Sequence, residues 1–264
     1  MRLQLGRHVG RHLVRRGFRY AIGDIADVLG QDTSIAGTGS QADEDVMKIV
    51  SVNTGLPRDV VWHGRTVTTA IYKNPVEGRI SLRPLNLDGD RQADPSVHGG
   101  PFKAVYCYPI EHYDRWTKEL GGRELPAGMF GENLTTRGLD EDSVHLGDQF
   151  MIGSARVVVT QPRLPCYKLG IRFQADDMVK RFLASGRTGF YLAVGQEGDV
   201  GAGDPITLVA RDPLAVRVSE ITRLYVTKTY SRDDVAAVRT ALRVAALPES
   251  WKEHFRDRLG SMTK

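Results

Sequence analysis

Gln149-Phe150-Met151-Ile152-Gly153-Ser154-Ala155-Arg156-Val157-Val158-Val159-Thr160 is two short runs of β-branched and aromatic residues parted by a Gly-Ser pair. Runs of this length and composition, set off by turn residues, read as strands. Straight after the second comes Gln161-Pro162-Arg163-Leu164-Pro165-Cys166-Tyr167-Lys168-Leu169, where two prolines stiffen the approach to a cysteine flanked by two cations. The strand pattern extends both ways from here. It begins at Met47-Lys48-Ile49-Val50-Ser51-Val52 and returns at Val60-Val61, Thr66 to Ala70, Ala104 to Tyr108, Phe190 to Val194 and Pro205 to Val209. Many short strands with frequent Gly/Pro/Asp punctuation predict a mostly β fold with helices, as a barrel or a sandwich over residues 47–210.

Two helices interrupt the strands. Pro109 is placed to start one that sets Ile110, Tyr113, Trp116 and Leu120 on one face, and Asp176 to cap another over Met178 to Leu183. From about residue 215 the apolar period lengthens to three or four. Ile221 and Leu224, then Val235, Val238 and Leu242, then Trp251, Phe255 and Leu259 mark three helices over 215–262, with Ser231 and Pro248 as starters. So small a helical unit has too little core to stand alone and is expected to dock on the β domain.

The 264 residues carry a net charge of +4 and two cysteines, Cys107 and Cys166. That is too few for a disulfide framework, a four-cysteine zinc site or a four-thiolate iron–sulfur cluster, and a reducing cytoplasm fits best. No run approaches the roughly 20 apolar residues of a membrane span. Residues 1–46 differ from the rest: Arg2, Arg7, Arg11, Arg15, Arg16 and Arg19 are followed and balanced by Asp24, Asp27, Asp32, Asp43, Glu44 and Asp45. An Arg-rich beginning resembles a transit peptide or an anionic-surface contact, but the plainer reading is a poorly packed extension upstream of the first strand. Within it, Gly37-Thr38-Gly39-Ser40-Gln41-Ala42 has the spelling of a dinucleotide loop without the preceding strand or following apolar helix, and reads as linker.

Cys107, inside Ala-Val-Tyr-Cys-Tyr, suits a buried strand. Cys166 is placed for chemistry, since nearby positive charge favours the thiolate that binds soft metals or attacks electrophiles; an ordinary buried thiol is the competing reading. Gly89-Asp90-Arg91 runs on to Val97-His98-Gly99-Gly100, joining acids, an imidazole and a double glycine that lets backbone N–H groups approach an anion. His98 has no second histidine at zinc spacing and is expected to titrate near neutral pH. Glu132-Asn133 sits at the mouth of a strand, with a hairpin turn as the bland alternative, and Arg187 lies in Gly186-Arg187-Thr188-Gly189, where its fork has the shape to grip phosphate or simply to face solvent.

Taken in order, Gly89-Asp90, Val97-His98-Gly99-Gly100, Gly131-Glu132-Asn133-Leu134, Gln161-Pro162-Arg163, Pro165-Cys166 and Gly186-Arg187-Thr188-Gly189 resemble the motif series of the YiiM-like branch of the MOSC superfamily. The tail is similar to the three-helix domain of that branch. The resemblance implies a MOSC-type β-barrel that binds molybdenum cofactor in its molybdopterin form, with Cys166 as the protein ligand to the metal. Related proteins include the mitochondrial amidoxime-reducing component, so the implied reaction is reduction of N-hydroxylated compounds such as base analogues and amidoximes. Cys166, His98 and Asp90 are then the catalytic candidates, and Arg163, Arg187, Asn133, Gly99, Gly100 and Arg91 the cofactor-binding ones. With no flavin or nicotinamide site legible, a separate flavoprotein reductase is implied as electron donor, and a homodimer is compatible. A cofactor carrier or sulfur-transfer protein, using Cys166 without turnover, is the alternative. The mixed charges of the tail, Arg239, Arg243, Arg256 and Arg258 against Asp233, Asp234, Glu253 and Asp257, argue against nucleic-acid binding.

Overall fold

The computed structural model describes residues 47–262; the segment 1–46 and the glycine pattern in it lie outside them. The chain runs β1 (Lys48–Thr54), β2 (Arg58–Trp62), β3 (Arg65–Thr69), β4 (Asn74–Pro75), β5 (Arg79–Leu82), α1 (Pro95–His98), a 3-10 turn (Pro101–Lys103), β6 (Val105–Pro109), α2 (Glu111–Glu119), β7 (Leu134–Arg137) and β8 (Gln149–Ile152). It continues through β9 (Ala155–Pro162), α3 (Tyr167–Phe173), α4 (Met178–Ala184), β10 (Phe190–Gln196), β11 (Gly198–Gly201) and β12 (Ile206–Ala210) to α5 (Val218–Val226), α6 (Arg232–Ala241) and α7 (Glu249–Ser261).

The main sheet has the order β12-β8-β9-β10-β6-β7-β1-β4. It turns back on itself: Lys48 bridges Pro205, the Ile49 N–H donates to Asp204 O (2.9 Å), Gly203 N–H donates to Ile49 O (2.8 Å) and Ile206 N–H to Met47 O (2.7 Å). These bonds join the β1 side of the sheet to the approach to β12, giving a barrel with no free edge along that seam. The β8–β9 pair is a two-residue hairpin, Ile152 opposite Ala155, with Gly153 at φ 57° in the turn. β6 and β7 are the parallel pair, and α2 supplies their crossover. Two small antiparallel pairs, β2–β3 and β5–β11, stand off the main sheet.

Alternation along the strands fills the barrel with Ile49, Val52, Leu134, Phe150, Val157, Val159 and Leu192, all essentially inaccessible. The same cluster runs without a break into Val218, Ile221 and Leu224 of α5, Val238 of α6 and Trp251 and Phe255 of α7. The tail therefore completes the core, as its small size requires. Ser231 starts α6 by a reciprocal capping box: its Oγ accepts from Asp234 N–H (3.1 Å), and the Asp234 carboxylate accepts from Ser231 N–H (2.9 Å). A second, aromatic cluster of Tyr108, Tyr113, Trp116, Phe130, Phe173 and Phe182 packs α2, α3 and α4 against the outside of β6.

Two helix starts differ from the sequence reading. Pro109 ends β6, and α2 begins after Ile110, because the strand's pairing with β7 extends to Pro109–Thr136. Asp177 rather than Asp176 precedes α4, and Asp176 faces His63 at the tip of the β2–β3 hairpin (2.9 Å).

Candidate active site

β9 carries the chain to Pro162, and there it leaves the sheet. Arg163 N–H donates to Gly189 O (3.2 Å), the prolines hold the next residues extended, and Cys166 (φ −115°, ψ 171°) precedes α3 with its carbonyl accepting from Leu169 N–H (2.9 Å). The thiol is half-buried on the wall of an open cleft. Asp90, Arg91, His98, Asn133, Arg163 and Cys166 of the expected set line this cleft, and Arg187, Gly99 and Gly100 do not.

Lys73, Lys103, Lys168, Tyr106 and Tyr191 also line it. Lys73, Arg91, Lys103, Arg163 and Lys168 face a single carboxylate there, Asp90, so the cleft is set for an anionic ligand. Lys103 stands on the 3-10 turn, which is tied to β9 where Thr160 Oγ1 (2.7 Å) and Gln161 Nε2 (3.1 Å) donate to Phe102 O. It lies close enough to Cys166 to be drawn toward its charged form, yet burial dominates and lowers the Lys103 pKa below the usual lysine value. Arg163 is 6% exposed, its guanidinium 4.7 Å from the Tyr106 ring centre and donating to Tyr106 Oη (3.3 Å).

Asp90 anchors the opposite wall. Its Oδ1 accepts from the Lys73 ammonium and from Gly55 N–H (2.9 Å), and its Oδ2 accepts from Asn133 Nδ2 (2.9 Å). Asn133 is itself committed to backbone: its Oδ1 accepts from Tyr106 N–H (3.1 Å), and its own N–H and carbonyl pair with Tyr106 and Asn53. Glu132 beside it is fully buried and accepts from Tyr113 Oη, Gly128 N–H, Phe130 N–H and Thr135 Oγ1. Burial raises its pKa against those bonds. The Gly-Glu-Asn motif is thus an internal brace that aims Asn133 and, through it, Asp90 and Lys73.

The structure revises the expected behaviour of His98. Burial, then Lys168, Lys103 and Arg163, push its pKa down to about 4, with Asp94 pulling weakly the other way. A neutral imidazole therefore faces the cleft across the physiological range. The glycines of two motifs serve the backbone. Gly100 (φ 96°) turns the chain from α1 into the 3-10 turn, and Gly189 (φ 64°) passes so close to β6 that a Cβ there would meet Cys107 O at 2.3 Å. Arg187 contributes its carbonyl to Tyr108 Oη (3.3 Å), away from the cleft lining. Lys73, Lys103, Tyr106 and Tyr191 were not legible as site residues, because they come from a loop, the 3-10 turn, β6 and β10, with no motif of their own.

A barrel closed at the β1–β12 seam, a cysteine at the exit of β9 and an appended helical unit together define a MOSC-type protein. The MOSC domain family model matches residues 94–207, and the YiiM-like 3-alpha helix domain model matches 218–261. The chain is 39% identical over 214 residues to the uncharacterized protein YflK of Bacillus subtilis (strain 168), a match spanning 80% of this chain and 95% of that one. The crystal structure of YiiM from Geobacillus stearothermophilus superposes with a TM-score of 0.67 at 38% identity, covering 81% of this chain and 99% of that one. A protein named "Reductase" from Gibberella moniliformis (strain M3125 / FGSC 7600) is 34% identical over 151 residues, 56% of this chain but 27% of its own length. The chain belongs to the MOSC family, in its YiiM-like branch. Among the described residues no helix is long and apolar enough to cross a membrane.

Proposed function

We propose that this protein is a cytoplasmic molybdenum-cofactor-dependent reductase of N-hydroxylated compounds, with Cys166 the protein's ligand to the metal. The observation that carries this reading is the accessible Cys166 thiol on a cleft wall where Lys103, Arg163 and Lys168 gather around it. A soft thiolate ligand beside clustered cations fits a cofactor that joins a thiolate-binding metal to an anionic, phosphate-bearing pterin.

When bound, the cofactor would supply the two-electron chemistry needed to reduce the substrate's N–O bond. The chain's own part is to bind and to deliver protons. Arg163, Lys103 and Lys168 hold the cofactor's oxyanions, while Asp90 and Asn133 act as positioning residues that fix Lys73 in the opposite wall. Conversion of R–NHOH to R–NH2 and water takes up two electrons and two protons. Neutral His98 donates or accepts a hydrogen bond but is no proton source at pH 7, whereas burial has made the Lys103 and Lys73 ammonium groups more acidic than free lysine. A separate flavoprotein reductase provides the electrons.

The test is molybdenum content of the full chain from a cofactor-competent host, wild type beside Cys166→Ala, followed by reduction of an N-hydroxylated base by the loaded protein with an artificial electron donor. Near-stoichiometric metal in the wild type, its loss in the variant, and turnover support the reading. Equal metal in both removes Cys166 as ligand, and metal without turnover makes the protein a carrier.

A further inference from the structure

Two guanidinium groups lie over the Tyr72 ring. The Cζ of Arg58, at the start of β2, lies 3.6 Å from the Tyr72 ring centre, and the Cζ of Arg172, on α3, lies 4.8 Å from it. Arg123, in the turn after α2, is near enough to add its repulsion to that of Arg58 at Arg172. Among the described residues none of the three is ion-paired. Glu132 attracts Arg172 only from a distance and gives both its oxygens to the brace described above.

Arg172 is the most constrained of the three. Its Nε is buried without a hydrogen-bond partner, which is uncommon in a folded protein and calls for a physical reason. Burial first, then Arg58 and Arg123, lower its pKa below the ordinary arginine value, against the attraction of Tyr72 and Glu132. Two like charges over one ring, with a third close to one of them, repel one another unless an anion joins them. Planar guanidinium forks match the oxygens of a phosphoryl group, and the count of positive charges suits a dianion.

We infer that Arg58 and Arg172 over the Tyr72 ring, with Arg123 close to Arg172, form a binding site for a phosphate-type dianion. This site is distinct from the cationic wall around Cys166, since none of these four residues lines that cleft. It is also its neighbour, because Ile71 and Lys73 on either side of Tyr72 do line it. The dianion is either free phosphate or the phosphate monoester of a larger ligand that reaches over from the cleft. The inference does not depend on what Cys166 binds.

Calorimetric titration of the full chain with inorganic phosphate tests it, with Arg58→Gln, Arg172→Gln and the cleft variant Lys168→Gln beside the wild type. Arg58 is exposed, so its replacement leaves the fold intact even if that of the more buried Arg172 does not. The expected result is that Arg58→Gln and Arg172→Gln weaken one phosphate-binding event by roughly tenfold to a hundredfold, as loss of a charge-assisted hydrogen bond should, while a second event responds to Lys168→Gln instead. Adenosine monophosphate and adenosine give the second arm. Tighter binding of the monophosphate than of phosphate, lost in Arg58→Gln while adenosine binding is unchanged, assigns the site to a limb of a larger ligand. Equal binding of phosphate and monophosphate assigns it to the free anion. Phosphate and monophosphate binding indistinguishable from wild type in Arg58→Gln, or lost only in Lys168→Gln, overturns the inference.

Discussion

Trp251 of the helical tail donates its indole N–H to the Gln161 side-chain carbonyl at 2.8 Å, and the amide of the same Gln161 donates to Phe102 O, next to Lys103 in the cleft wall. The tail thereby reaches the candidate site through one side chain. Trp251→Ala removes a buried indole from a core shared by barrel and tail, so it is expected to cost about 3–5 kcal/mol. Chemical denaturation followed by far-ultraviolet dichroism and by intrinsic fluorescence should show one coincident transition for the wild type, shifted as a whole in the variant. Two separated transitions in the wild type would mean that the tail unfolds independently.

The two cysteines should separate cleanly by reactivity. Cys107 is 1% exposed and burial pushes its thiol pKa far up, whereas Cys166 is accessible on the cleft wall. A thiol reagent applied to the native protein, freed of any bound metal, should label one equivalent, and Cys166→Ala should label none. Denaturation should expose the second thiol.

Folding holds His98 neutral, and this makes a pH dependence with a defined sign. Its pKa falls from about 6.5 in the unfolded chain to about 4 in the folded one, so the unfolded chain binds more protons between those values. The His98 contribution to stability is complete above pH 6.5 and is lost as pH falls toward 4. His98→Gln should flatten that part of the stability profile, and the His98 ring resonances should show no titration between pH 5.5 and 8, a range set by the pKa of about 4. A midpoint near neutrality would contradict the burial and charge seen around the ring.

Lys73 and Asp90 form a buried ion pair, with side chains 9% and 1% exposed. Removing one member strands the other, and Asp90→Asn should destabilise by about 3–5 kcal/mol. The double variant Lys73→Met/Asp90→Asn should recover part of that loss, as thermal or urea melts of the four proteins would report. Additive losses would show that the pair does not act as a unit.

Sequence and structure agree most closely where local chemistry decides the outcome. The Gly153-Ser154 turn, the Ser231 cap and the apolar faces of α5, α6 and α7 are set by neighbours in the chain. The short pairs β4, β5 and β11 escaped notice because Asn74-Pro75, Arg79–Leu82 and Gly198–Gly201 carry little alternation and exist by pairing with distant partners. α3 escaped because Tyr167–Phe173 is barely two turns and its boundaries come from the Pro165-Cys166 exit and the left-handed Gln174 (φ 55°). At the site, Cys166, Arg163, Asp90 and Asn133 lie in recognisable motifs and do meet in one cleft. Arg187 lies outside the lining of this cleft, and its motif holds Gly189, whose close passage over Cys107 looks the same in sequence as a loop made to grip a ligand. The charge state of His98 depends first on burial and then on Lys168, Lys103 and Arg163, a setting that no local pattern of the sequence announces.

The seam at Ile49 and Asp204 also sets a schedule. β1 precedes every other described strand in the chain, yet the backbone groups on that side of it find their partners only when Gly203 to Ile206 have been made. Until then the strand presents bonding groups to any other chain that can pair with them. Contacts this distant in sequence slow closure, so the barrel stays open while the intervening strands are made, and the window for errant strand pairing lasts through that whole stretch.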